Sequence, residues 1–194
     1  RTAGQLLSEI ATVRAAHLPL RDAFVLLLLA AVGCGGSSDA DQPMADGQKH
    51  GMWTTRYENG KTKAKGEYVA GKKNGPWVEY DNKGDKALEA EFKNGKKDGS
   101  WLAWHPKEVK SEEGAYANDQ KDGMWSTWSM NGKPIAKGAF KAGVEDGPWE
   151  YYLPGGTSQG SFKNGKKDGR WIEWQGDQKS MGEYKMGARV GPWI

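Results

Sequence analysis

The sequence predicts an all-β protein: one antiparallel sheet of stacked β-hairpins, a hairpin-repeat solenoid over residues 51–194. Three observations carry this. The string Gly-x-Trp recurs so that Trp53, Trp77, Trp101, Trp125, Trp149, Trp171 and Trp193 follow one another at spacings of 24, 24, 24, 24, 22 and 22 residues. A fixed period of this length marks a repeat array. A glycine then stands 13 residues after the Trp at Gly66, Gly114 and Gly138, with Ala90 in the second repeat, and 11 after it at Gly160 and Gly182. Two residues beyond that small residue comes a ring: Tyr68, Phe92, Tyr116, Phe140, Phe162 and Tyr184. Finally, a hairpin in which Trp faces the glycine has its centre between Asn59 and Gly60, or Asn131 and Gly132, and Asn-Gly is the strongest short signal for a type I′ hairpin turn.

Residues 1–33 read as a signal peptide. Arg14 and Arg21 precede the apolar run Ala23 to Val32, and a basic segment leading into a short apolar one is the pattern of secretion. About ten apolar residues are too few for a bilayer span, which takes about 20. The stretch Leu29-Ala30-Ala31-Val32-Gly33-Cys34 resembles a bacterial lipoprotein signal. That resemblance implies cleavage before Cys34, acylation of its thiol and a membrane anchor, with Gly35 at the next position implying the outer membrane. An ordinary signal with an incidental cysteine is the other reading. The chain begins with Arg1 and has no Met before Met44; a start at Val13 would give a signal of ordinary length and leave residues 1–12 untranslated. Residues 34–50, small and polar from Gly35 to Pro43, read as a flexible tether.

Within each repeat the side chains alternate between two faces. The Trp, the small residue and the ring two beyond it share one face and form a structural ladder. Pairing Tyr68 with the next Trp puts a second turn on Lys72-Lys73, inside Gly71-Lys72-Lys73-Asn74-Gly75. The two short repeats lose an even number of residues, one from each strand, which keeps every side chain on its face. The third repeat is irregular at Lys107-Glu108. Two strands per repeat give a sheet of roughly twelve strands. A further ring, three residues after the Trp, falls on the opposite face: Tyr80, Trp104, Trp128, Tyr152 and Trp174, with Arg56 at that place in the first repeat. These rings are the candidate binding residues. They form either an exposed row or a packing layer covered by long Lys and Glu stems.

The motif Gly-x-Trp-x-x-Tyr/Trp, then Asn-Gly-Lys, then Gly-x-Tyr/Phe-x-x-Gly-Lys-x-Asp-Gly resembles the MORN repeats in their bacterial variant, most clearly from Gly123 to Gly147. It departs from them at Glu108-Val109 and Asn118-Asp119-Gln120. The resemblance implies an elongated, twisted single-sheet solenoid and a binding role: protein scaffolding, phospholipid contact in some members, antitoxin or immunity duty in some bacterial relatives. It implies no catalytic residue.

The remaining composition narrows the function classes. Charges are 28 basic and 25 acidic, for a net +3, and they are interleaved, so no nucleic-acid partner is expected. Cys34 is the only cysteine, which excludes an intrachain disulfide. His17, His50 and His105 lack metal-ligand spacing. Asp98, Asp122, Asp146 and Asp168 recur before Gly and read as turn formers. No nucleophile, base and orienting group recur together. The expectation is a lipid-anchored envelope protein that binds a protein partner, with no metal, cofactor or catalysis; a carbohydrate or cell-wall ligand stacked on the second-face rings is the alternative.

Overall fold

The computed structural model describes residues 42–194. The stretch read as a signal peptide, Cys34 and the first part of the stretch read as a tether lie outside the described residues. A two-stranded hairpin comes first, β1 (Met44–Ala45) with β2 (Gln48–Lys49). After it run β3 (Gly51–Arg56), β4 (Thr62–Val69), β5 (Lys72–Tyr80), β6 (Lys86–Lys93), β7 (Lys96–His105), β8 (Val109–Ala117), β9 (Gln120–Trp128), β10 (Pro134–Lys141), β11 (Val144–Leu153), β12 (Gly156–Lys163), β13 (Lys166–Gln175), β14 (Gln178–Lys185) and β15 (Ala188–Val190). These form one 13-stranded antiparallel sheet whose spatial order is the chain order. A single 3-10 turn, Pro106–Glu108, is the one other regular element among the described residues. It holds Lys107 and Glu108 at φ 66° and 58°, at the irregular third hairpin.

Each Trp faces its expected partner. The pairs are Trp53 with Gly66, Trp77 with Ala90, Trp101 with Gly114, Trp125 with Gly138, Trp149 with Gly160 and Trp171 with Gly182. The Asn-Gly turns are not type I′, however. Only Gly60 of its pair has positive φ, 80°; the Gly60 N–H donates to the Tyr57 carbonyl and the Tyr57 N–H to that of Lys61. This is a three-residue loop, a type I turn closed by a left-handed glycine. Ser129–Lys133 repeats it around Gly132. In the short hairpins, Leu153 pairs with Gly156 and Gln175 with Gln178, leaving two-residue turns. The longer hairpins also carry a bulge: Trp128 opposes Pro134 and Thr127 opposes Ala136, which leaves Ile135 over. The two extra residues are thus one loop residue and one bulge residue, not one per strand.

The second set of turns is corrected more deeply. Val69 pairs with Lys72 and Tyr68 with Lys73, so the turn is Ala70-Gly71 rather than Lys72-Lys73. Its residues lie at φ 46° and 73°, the two left-handed positions that a type I′ turn needs to match strand twist. Asn118-Asp119 holds the same shape at 49° and 70° without glycine. The Lys pair belongs to the strand, and the second glycine of the motif falls in a bulge, with Gly75 at φ 68°. That bulge adds two residues to β5 between Asn74, opposite Glu67, and Trp77, opposite Gly66. The small residue therefore sits between two tryptophans, one on each neighbouring strand, and Tyr68 does not stand opposite Trp77.

Which Trp lies on the glycine is also settled. A Cβ added to Gly66, Gly114, Gly138 or Gly160 would overlap the ring of Trp77, Trp125, Trp149 or Trp171, the Trp of the following hairpin. Those four rings are buried. Each indole N–H donates to the carbonyl just past the glycine: Trp77 to Glu67 at 3.1 Å, Trp125 to Ala115 at 3.0 Å, Trp149 to Ala139 at 2.9 Å and Trp171 to Ser161 at 3.2 Å. The rings Tyr68, Tyr116, Phe140, Phe162 and Tyr184 fill the spaces between tryptophans edge-on, as Tyr68 does at 5.8 Å from Trp53 and 5.0 Å from Trp77, and Phe92 meets Trp77 in the same way. Edge-to-face pairs of this kind contribute roughly 0.5–1.5 kcal/mol each beyond area burial.

One link is missing. Trp101 lies next to Ala90, whose methyl occupies the space that glycine leaves elsewhere. Ala90 is fully buried, Trp101 is only half-buried, and the Trp101 Nε1 has no acceptor. Ring pairs run from Trp53 to Phe92 and from Trp101 to Trp193, with none between Phe92 and Trp101 among the described residues. At the far end Trp193 meets Gly182 with its indole nitrogen edge instead and is likewise unpaired at Nε1.

The folded part begins earlier than residue 51. Besides the β1–β2 hairpin, Pro43 accepts from the Trp53 indole at 2.9 Å and from the His50 N–H. Gln42 pairs with β3 through its side chain: its Nε2 donates to the Thr54 carbonyl at 2.8 Å and its Oε1 accepts from the Thr54 N–H at 3.2 Å. An amide side chain thus imitates a neighbouring strand along the edge.

Candidate interaction surface

The ladder face is capped by cations. Lys73 lies 4.2 Å from the Trp77 ring centre and 4.8 Å from that of Phe92, Lys97 sits over Trp101 and Tyr116, and Lys121 lies 3.9 Å from Trp125. Lys49, Lys167 and Arg189 do the same over Trp53, Trp171 and Trp193. Each stands four residues before its Trp, a recurrence readable in the sequence but assigned there to a turn. The stems cover the rings, and each ammonium gains the attraction of a π face. Lys73 and Lys121 also pair with Glu79 at 3.2 Å and Glu112 at 3.3 Å.

The aspartates do not shape their own turns. Asp98 accepts from the Asn118 N–H at 3.2 Å, Asp146 from Asn164 at 3.1 Å and Asp168 from Met186 at 3.2 Å. Asp122 reaches Ala142 in the same manner. Each acceptor holds the first left-handed residue of the next turn along the sheet edge. These turns are also joined by backbone bonds such as Gly95 N–H to the Lys73 carbonyl.

Residue 145 breaks the cation row. Glu145 takes the place of the lysine, and Tyr151 fills the space, lying nearly parallel to Trp149 at 5.5 Å and to Trp171 at 6.4 Å. Its hydroxyl meets Glu145 Oε1 at 3.4 Å. Burial, and then the Glu145 carboxylate, push the Tyr151 phenol up to about 12. Burial likewise raises Tyr68 and Tyr116.

Tyr80, Trp104, Trp128, Tyr152 and Trp174 all lie on the face away from the ladder, an odd number of positions from their Trp. They do not touch one another as ring pairs among the described residues. Lysine stems cover part of the row: Lys86 lies 5.4 Å from Trp104, Lys110 5.7 Å from Trp128 and Lys179 5.3 Å from Trp174. The Tyr152 hydroxyl donates to Glu150 at 2.8 Å, and that bond raises its pKa. The row is therefore mostly half-buried, and only Trp174, at 39%, counts as exposed. Exposed apolar surface also lies beside the row: Ile135, 46% exposed, and Met124, 49%. Ile135 is the bulge residue of β10, next to Trp128 and Tyr152, and pattern reading missed it because the bulge is invisible in a strict alternation. A hollow of about 420 Å³ opens nearby on this face, with Met124, Pro148 and Ile172 among Lys137, Glu150 and Arg170.

In comparisons with known proteins, no family model matches the chain and no curated protein is similar to it in sequence.

Proposed function

We propose that the chain is a MORN-type array of stacked hairpins, a non-catalytic scaffold that binds a protein partner through the face opposite the ladder. One observation carries this reading. The sheet is a single layer whose ladder tryptophans lie under the chain's own cations at all but Trp149, while Met124, Ile135 and Trp174 stay exposed on the other face. Apolar side chains set among charged ones on an otherwise polar surface are the usual makings of an interface, with Trp the most frequent anchor. The resemblance of Leu29 to Cys34 to a lipoprotein signal supports a site for this scaffold at the bacterial cell envelope, held by acyl chains on Cys34.

Cross-linking in intact cells, followed by mass spectrometry of the captured protein, tests both halves. The double variant Ile135→Ser, Trp174→Ala is expected to keep the strand spectrum and lose the cross-linked partner. Leu153→Ser on the ladder face is expected to keep it. Capture of the same partner by both variants overturns the assigned face. Cys34→Ala is expected to move the protein from the membrane to the soluble fraction, since stable anchoring needs the acyl chains; an unchanged distribution overturns the anchor.

A further inference from the structure

A hollow lined mainly by ladder-face residues, and bordered by Trp174 of the other row, opens at the short β11–β12–β13 hairpins. It has a volume of about 430 Å³. The middle strand supplies a floor of small residues, Gly156 and the nearly buried Ser158. Ser158 is flanked by Tyr151 and Glu173, its register partners. At the equivalent place in β6 stands Leu88, between Glu79 and Ala103. Small floor and large walls make the trough.

Its charges are also set apart. Lys167 and Glu173 have the same spacing as Lys73 and Glu79, which close an ion pair at 3.2 Å. Among the described residues Lys167 and Glu173 form no ion pair; the Lys167 ammonium rests on Trp171 at 3.9 Å. The hollow thus presents a carboxylate, an ammonium, the Ser158 hydroxyl and the Gln175 amide around an apolar side of Leu153 and the Tyr151 ring, with no net charge. Its size falls at the small end of ligand sites.

We propose that this hollow binds a neutral sugar ring. Ring hydroxyls bridge Glu173, Lys167 and Gln175, each of which can serve several hydroxyls. The C–H face of the sugar lies against Leu153, with the edge of the stacked Tyr151 ring beside it. A lone anion or cation would leave one of the two opposite charges facing its like.

The test uses the full chain, with amide and indole resonances followed during titration with glucose, galactose, N-acetylglucosamine and their disaccharides. At least one is expected to shift Ser158, Glu173 and Gln175 with a Kd of about 1 mM. Glu173→Gln is expected to weaken it about tenfold, the loss of a hydrogen bond to a charged group. Ser158→Leu, which copies Leu88, is expected to fill the hollow and abolish binding. Glu79→Gln is expected to change nothing. Absence of shifts with every sugar overturns the proposal, as does shifting by free glycine in place of sugars. Sugar binding that survives both Glu173→Gln and Ser158→Leu, or shifts confined to Trp104 and Trp128, overturns the assigned site.

Discussion

Gly138 and Gly132 are a few residues apart and carry different burdens. Gly138 has ordinary backbone angles but no room, since a Cβ there would enter the Trp149 ring. Gly132 has room, with only Val109 at 3.8 Å, but lies at φ 77°. Gly138→Ala is expected to cost about 1–3 kcal/mol and Gly138→Val about 3 kcal/mol or more. Gly132→Asn is expected to cost less than about 1 kcal/mol, because Asn tolerates the left-handed region. Urea denaturation of the three variants checks the order. The Ala variant has a second signature: the Trp149 indole proton, now hydrogen-bonded to Ala139, should exchange as fast as that of Trp101. Tyr151 gives a pH-dependent counterpart. Its folded value of about 12 lies above the ordinary one, so the stability from the neutral phenol is complete below about pH 10 and is lost as pH rises towards about 12. Phenolate absorbance is expected to show a late-titrating step that Tyr151→Phe removes.

At the scale of the hairpin, the long and short forms differ by one loop residue and one bulge residue. The β5–β6 hairpin is therefore convertible. Tyr80 opposes Lys86 and Glu79 opposes Leu88, leaving Ala87 over, while Gly84 closes the loop at φ 94°. Deleting Lys83 and Ala87 together leaves Asn82-Gly84 as an Asn-Gly two-residue turn between regular strands. The doubly deleted protein is expected to melt within a few degrees of the parent, about the effect of 1 kcal/mol or less; a loss of cooperative melting would mean that the bulge is needed for the fold. The facing of Trp and Gly was legible because a small residue and a large one on a shared period leave one sensible pairing. The bulges were not, because a strict period of two has no place for an unopposed residue. That is why Lys72-Lys73 looked like a turn and Ile135 looked unremarkable. Alternation alone separates the Tyr80-to-Trp174 row from the ladder; its lysine lids depend on side-chain paths that spacing does not encode.

For the molecule as a whole, a sheet without a second layer has two edges to manage. Exposed edges invite pairing with other chains. At β3 the defence is Gln42, which meets both backbone groups of Thr54. Gln42→Ala is expected to cost about 1–2 kcal/mol, two hydrogen bonds, and to raise concentration-dependent association measured by light scattering. Unchanged scattering would show that Pro43 and the β1–β2 hairpin suffice. This cap was hidden in a stretch whose composition reads as tether, since nothing local distinguishes a Gln that pairs with a strand from one that is solvated.

The vacancy between Phe92 and Trp101 has a mechanical consequence. Interlocked rings resist flexing of the ribbon much as teeth in a rack do, and at Ala90 a tooth is missing. Compliance should concentrate there, so that the ribbon bends about the β6–β7 boundary and, when stretched from its two ends, parts there first. Under tension the parent is expected to release its length in two unequal steps. Ala90→Gly, which lets Trp101 settle and its indole reach the Glu91 carbonyl, is expected to stiffen that joint and merge the steps.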